Sequence, residues 1–174
     1  MGLGLSLLGG CPSIVSRASW GARASRSNSY LPSQPVHWVF IHHGESSACH
    51  SQSQCAGIVR SYQNYHMDSH GWSDIGYSFL VGEDGNAYEG RGWDRIGAHT
   101  VGYNSKAVAI CLIGSFDSVV PNAAALNTVK RLIQCGIDKG KISKDYVLRG
   151  HRDVNQTSCP GDALYKLIRT WPHY

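Results

Sequence analysis

No apolar run in the chain approaches the ~20 residues that a membrane-crossing helix needs. Charge is sparse as well. Asp, Glu, Lys and Arg make up 16% of the residues, and 16 basic against 12 acidic side chains leave a net +4. The excess is spread out, so there is no basic tail and no dense cationic stripe of the kind nucleic acid demands; weak attraction to an anionic surface is the most it supports. Repeats and low-complexity segments are absent. With 42% hydrophobic residues the chain is not disordered, and 174 residues suffice for one domain with a buried core.

What the chain holds in plenty is histidine, tryptophan and cysteine, at nine, five and six. Six cysteines allow 15 pairings if all are oxidised. Their contexts differ. Cys49 and Cys55 flank a short polar stretch and read as a local staple. Cys111 lies inside the apolar run Ala107-Val108-Ala109-Ile110-Cys111-Leu112-Ile113 and reads as a buried thiol. Cys159, before Pro160-Gly161 and eight residues after His151, has the context of a ligand, which leaves Cys11 and Cys135 to pair. The alternative joins Cys159 to Cys111. Either scheme implies an oxidising compartment. Residues 1–10 have an apolar centre without a basic start and read as a remnant or linker, so the domain is 11–174.

Hydrophobic patterning predicts strands over 36–43, 76–82, 86–89, 107–114 and 146–149, and helices over 52–68, 122–139 and 161–171. Residues 11–35 read as an irregular arm. Glu83-Asp84-Gly85-Asn86 is a hairpin signal, and Asn122 after Pro121 is an N-cap signal. Interspersed strands and helices place the chain in the α/β class, with a mixed sheet and helices on its faces.

Three segments carry chemistry. Ile41-His42-His43-Gly44 ends an apolar strand in two histidines, whose side chains must point to opposite faces, one toward a site and the other lining its rim. Gly150-His151-Arg152-Asp153 through Thr157-Ser158-Cys159-Pro160-Gly161 brings a His and a Cys into one loop. Asp74-Ile75-Gly76-Tyr77 opens a strand with a Tyr. Two His and one Cys are acceptable protein ligands for a catalytic zinc with an open fourth position. Spacing alone leaves the bland reading open, in which the His are packed strand-end residues and the Cys marks a turn or a disulfide.

These segments, together with Ser19-Trp20-Gly21-Ala22, Trp72-Ser73-Asp74, Tyr88-Glu89-Gly90-Arg91-Gly92-Trp93 and Gly97-Ala98-His99-Thr100, resemble a known family. From about Cys11 to Tyr174 the chain is similar to the short, secreted, catalytic peptidoglycan recognition proteins, which are related to phage-type N-acetylmuramoyl-L-alanine amidases. The resemblance implies a central mixed sheet flanked by about three helices with a cleft on one face. It implies Zn2+ held by His42, His151 and Cys159, with Tyr77 and Thr157 catalytic. It also matches the pairings Cys49–Cys55 and Cys11–Cys135. The reaction implied is hydrolysis of the amide between the lactyl group of N-acetylmuramic acid and the first L-Ala of the stem peptide. No Glu stands where a general base is expected.

The implied partners are bacterial peptidoglycan and muropeptides, with no nucleic acid and no membrane insertion, for a secreted protein of antibacterial immunity. His43, His66, His99 and Asn104 fall along the family's cleft. Gly71-Trp72 before the Asp-Ile-Gly-Tyr motif, with Arg91 nearby, resembles members that prefer meso-diaminopimelate stems, whose extra carboxylate a guanidinium can fork onto. The alternative from the same resemblance is a binding module that holds peptidoglycan without turnover.

Overall fold

The structure is a computed structural model and describes residues 10–174; the segment read as a remnant or linker lies, apart from Gly10, outside the described residues. Among those residues six strands form one sheet: β1 (Ile14–Val15), β2 (Val36–His43), β3 (Phe79–Val81), β4 (Ala87–Glu89), β5 (Ala107–Leu112) and β6 (Ile142–Gly150). Their order is β1-β4-β3-β5-β2-β6. β2 runs parallel to both β5 and β6, β3 is parallel to β5, and β3–β4 is an antiparallel hairpin. The sheet is therefore mixed, as expected. The helices are α1 (Arg17–Trp20), α2 (Gln52–Asn64), α3 (Ala123–Asp138) and α4 (Asp162–Ile168), and none is long and apolar enough to cross a membrane.

Strand alternation divides the core. Val39 and Ile41 of β2, Phe79 and Val81 of β3, and Val108, Ile110 and Leu112 of β5 pack on one face against Val129, Leu132 and Ile133 of α3 and Leu164 and Ile168 of α4. Leu80, Tyr88, Cys111 and Ile113 pack on the other face against Val59 and Tyr62 of α2 and Trp20 of α1. β5 is buried along its whole length, which explains its unbroken apolar run. Asn122 caps α3 by accepting a hydrogen bond from the Ala125 N–H at 2.9 Å.

The arm differs from the expectation. Residues 11–35 hold β1, paired with β4, and one helical turn whose Trp20 is fully buried and donates Nε1–H to the Glu89 carbonyl at 2.9 Å. Elements of two and four residues lie below what periodicity can register. The helix expected to 68 ends at Asn64 and continues as a π turn over Tyr65–Ser69, where Asp68 pairs with Arg23 and Arg26 of the arm. The last strand is longer than read, since it begins at Ile142, and the last helix stops at Ile168.

Disulfides join Cys11 to Cys135 and Cys49 to Cys55, and Cys111 and Cys159 are free and buried, so the Cys111–Cys159 alternative does not hold. The first bridge spans 124 residues and ties the arm to α3; the second spans 6. Chain entropy makes replacement of both Cys11 and Cys135 by Ala cost about 4–5 kcal/mol, against about 2 kcal/mol for Cys49 and Cys55. Urea denaturation of the two double variants checks the order, and equal losses contradict it.

Candidate functional site

The parallel register of β2 builds the site. His42 stands opposite Cys111 of β5, and Ile41 opposite Gly150 of β6, so His42 and His151 leave neighbouring strands side by side. Their rings lie 4.5 Å apart. Cys159 returns from the loop after β6 and places Sγ 3.6 Å from His42 Nδ1. One donor atom from each of His42, His151 and Cys159 lies within 4.8 Å of the others. Gly161 makes this return possible: its φ is +95°, and a Cβ there would stand 2.4 Å from the Phe116 carbonyl.

The three residues form one wall of a cleft of about 280 Å³, lined also by His43, Tyr62, His66, His70, Trp72, Tyr77, His99 and Thr157. Tyr77 sits with its ring 5.3 Å from His42 and 5.5 Å from His66. The chain reaches it through Gly76, where a Cβ would lie 2.1 Å from the Ala98 carbonyl oxygen. The Gly76 N–H donates to His66 Nδ1 at 2.9 Å, which fixes that ring against the segment that carries Tyr77 into β3. Trp72 stacks on His70 at 4.6 Å and follows Gly71, whose φ is +70°. The Thr157 hydroxyl oxygen accepts from the Cys159 N–H at 3.2 Å.

The other expected cleft residues are held by the backbone around them. His43 borders the cleft with its ring buried toward the opposite face of β2, where Nδ1 accepts from the Phe116 N–H at 3.1 Å and Nε2 meets Glu45 at 3.2 Å. Asn104 spends its side-chain oxygen on the backbone N–H groups of His99 and Thr100, both at 2.8 Å, and so shapes the cleft wall from behind. Arg91 lines a different cavity, with Arg17, Trp93 and Arg95. Its guanidinium donates to the Ile75 carbonyl at 2.8 Å, the Ile96 carbonyl at 2.9 Å and the Asp74 carbonyl at 3.4 Å.

Burial keeps the site neutral. Desolvation, then His151, His99 and His43, holds His42 well below the ordinary imidazole range. Desolvation lowers His151 too, with the Asn155 hydrogen bond opposing it. Burial brings His66 to about 4 and His99 to about 3, with the charge of Arg91 contributing to both. The same desolvation pushes the Cys159 thiol up to about 12, against a backbone N–H of His43 that favours the thiolate. Tyr77 is pushed well above the usual phenol range, by burial first and then by Cys111 and Cys159, so its hydroxyl remains a donor.

Residues 32–162 match the family described as N-acetylmuramoyl-L-alanine amidase. The chain belongs to this family. It is 45% identical to peptidoglycan recognition protein 1 of Bos indicus over 99% of this chain and 90% of that one. It is 46% identical to the human N-acetylmuramoyl-L-alanine amidase over 95% of this chain, which spans only 29% of that longer protein. Among solved structures it is similar to peptidoglycan recognition protein-LE in complex with tracheal cytotoxin, a monomeric diaminopimelic acid-type peptidoglycan, at a TM-score of 0.91 and 42% identity, covering 93% and 95% of the two chains. The family's fold, a single α/β domain, is the one described above.

Two residues at the site escaped the sequence reading. Asn155 Oδ1 accepts from the Val101 N–H at 3.0 Å and lies 2.9 Å from His151 Nε2, while its Nδ2 donates to the Val101 and Val154 carbonyls. Those partners fix the amide's orientation, so His151 carries its proton on Nε2 and leaves Nδ1 free as a ligand. The four-residue spacing from His151 was the signal available. Thr100, within hydrogen-bond reach of His42 across 58 positions, offered none.

The depressed imidazoles have a consequence for stability. His66 binds no proton in the fold until about pH 4, whereas the unfolded chain protonates it below its ordinary 6.5. Its contribution is thus present above pH 6.5 and lost as pH falls toward 4, by up to about 3 kcal/mol. Unfolding free energies measured across that window should fall with acid, and less steeply in His66→Gln. A flat profile would contradict the assignment.

Proposed function

We propose that the chain is a zinc-dependent N-acetylmuramoyl-L-alanine amidase that cleaves the lactyl–L-Ala amide of peptidoglycan, with a preference for meso-diaminopimelate stems. The observation that carries this reading is the cluster of His42, His151 and Cys159 at the wall of the cleft. The donor set fits zinc. It offers two imidazoles and one thiol, with His42 and Cys159 buried and His151 half-buried, His151 Nε2 engaged by Asn155 and His42 Nδ1 turned toward Cys159 Sγ. Zinc bound there supplies Lewis acidity and a hydroxide nucleophile at neutral pH.

The chain's own groups account for the remaining steps. The cleft binds the muramyl peptide between the Trp72–His70 stack and the wall of His99 and Thr157. The Tyr77 hydroxyl keeps its proton and donates it in a hydrogen bond to the scissile carbonyl oxygen, strengthening as negative charge gathers there. Thr157 Oγ1, already oriented by the Cys159 N–H, has its own proton to offer to the attacking water or the carbonyl. Arg91 reads the stem. Its Nη2 makes only the long contact at 3.4 Å and is the donor free to meet the diaminopimelate carboxylate. A relative in this family is described in complex with a diaminopimelic acid-type ligand, which supports that preference. Two disulfides fit secretion into an oxidising space, consistent with a role against bacteria.

Mass spectrometry of a diaminopimelate-type muramyl tripeptide incubated with the protein tests the activity. Free tripeptide should appear with zinc, vanish with chelator and be absent for Cys159→Ser. Intact ligand under both conditions, from folded protein, would leave a peptidoglycan-binding module. For the specificity, Arg91→Ala should weaken binding of the diaminopimelate ligand about 10–100-fold more than that of the Lys ligand, the worth of a charge-assisted hydrogen bond. Equal losses in a folded variant would remove Arg91 from the recognition of the stem.

A further inference from the structure

Thr100 Oγ1 lies 3.1 Å from His42 Nε2 and 2.7 Å from His99 Nδ1, and these are its side-chain partners among the described residues. Thr100 is fully buried. A hydroxyl has one proton to give, and a buried one places it on an acceptor. Here the acceptor is one of two imidazole nitrogens, and the other must then be a donor to Oγ1. At the far end of the row, His99 Nε2 is buried with no hydrogen-bond partner among the described residues.

We propose that Thr100 is a positioning residue that couples the tautomer of His42 to that of His99, so that metal loading at His42, His151 and Cys159 turns His99 Nε2 into a hydrogen-bond donor at the cleft wall. The inference rests on the zinc reading above. In this scheme the metal-free His42 carries its proton on Nδ1, toward Cys159 Sγ at 3.6 Å, the Thr100 proton lies on the His42 Nε2 side, and His99 Nδ1–H donates to Thr100. Ligation through His42 Nδ1 requires the imidazole proton on Nε2. Thr100 must then accept from His42 and donate to His99 Nδ1, and the neutral His99 ring carries its proton on Nε2. One proton leaves His42 Nδ1 and one enters His99 Nε2. The two between them move one place along the row, and no charge is left on it.

Long-range proton–nitrogen correlation spectra of histidine-labelled protein read each ring's tautomer directly. In the wild type, and in Thr100→Ser, zinc should move His99 from the Nδ1–H to the Nε2–H form. In Thr100→Val, which keeps shape and removes the hydroxyl, zinc should leave His99 unchanged. Zinc affinity by chelator competition should drop about 10-fold or more in the Val variant and recover in the Ser variant. If chelator competition shows zinc bound but the wild-type His99 tautomer stays as it was, the coupling is overturned and the metal site stands. If no zinc binds, the metal reading is overturned and the coupling with it. The wild-type measurements decide between these whether or not the Val variant folds.

Discussion

The site depends on one constraint, the in-register parallel placement of β2 between β5 and β6. Parallel strands deliver their carboxyl ends to the same edge of the sheet, and loops leaving that edge converge. His42 stands at the end of β2, His151 follows directly on β6, and Cys159 comes from the loop that β6 feeds. A shift of one residue in β2 would turn His42 to the α3 and α4 face and bring His43 in its place. The two adjacent histidines are thus not interchangeable. His42 faces the cleft, whereas His43 is held on the other face by the Phe116 amide and Glu45.

A second layer of constraint holds the cleft's far wall. The buried Asp74 carboxylate receives Arg17 from the arm, Arg95 from the segment after β4, Gln63 from α2 and its neighbour's N–H at Ile75. These contacts join four distant stretches of chain at the root of the segment that carries Gly76 and Tyr77. Removing the Asp74 carboxylate would leave two part-buried guanidiniums without their shared partner, and removing both arginines would leave a buried carboxylate unpaired, so the network resists piecemeal change. The arm is therefore part of the site's foundation, although it touches none of the cleft's chemistry.

Much of this was legible in the sequence because the central strands announce themselves. Val36–His43 and Ala107–Leu112 are apolar runs of strand length, and Asn122 marks the start of α3 by side-chain chemistry alone. The free Cys111 and Cys159 could be told from the paired cysteines by their neighbours. What could not be read depends on tertiary contact. β1 and α1 are too short to carry a period, and their stability comes from β4 and from the burial of Trp20. Arg91 looked like a free recognition group, yet backbone carbonyls at Ile75 and Ile96 orient it. Thr100 acquires its place at His42 only when its loop folds over β2, so its residue type in isolation says nothing.

The electrostatics of the three donor residues belong together. Burial disfavours every charged form: His42 and His151 are held neutral, and the Cys159 thiol is raised to about 12. A thiol in that state is a poor ligand and a poor nucleophile, since the thiolate does both jobs. A buried thiolate with no cation in bonding reach is too costly to form at neutral pH, whereas one bound to a dication is stabilised directly. Metal binding at these three donors would release the thiol proton, and the neutral imidazoles are already in the form a metal would require. The backbone N–H of His43, which favours the thiolate, acts in the same direction. Desolvation that would be a fault in an ordinary core would thus prepare two of the three donors for a metal, and a dication would be the natural counterpart of the third.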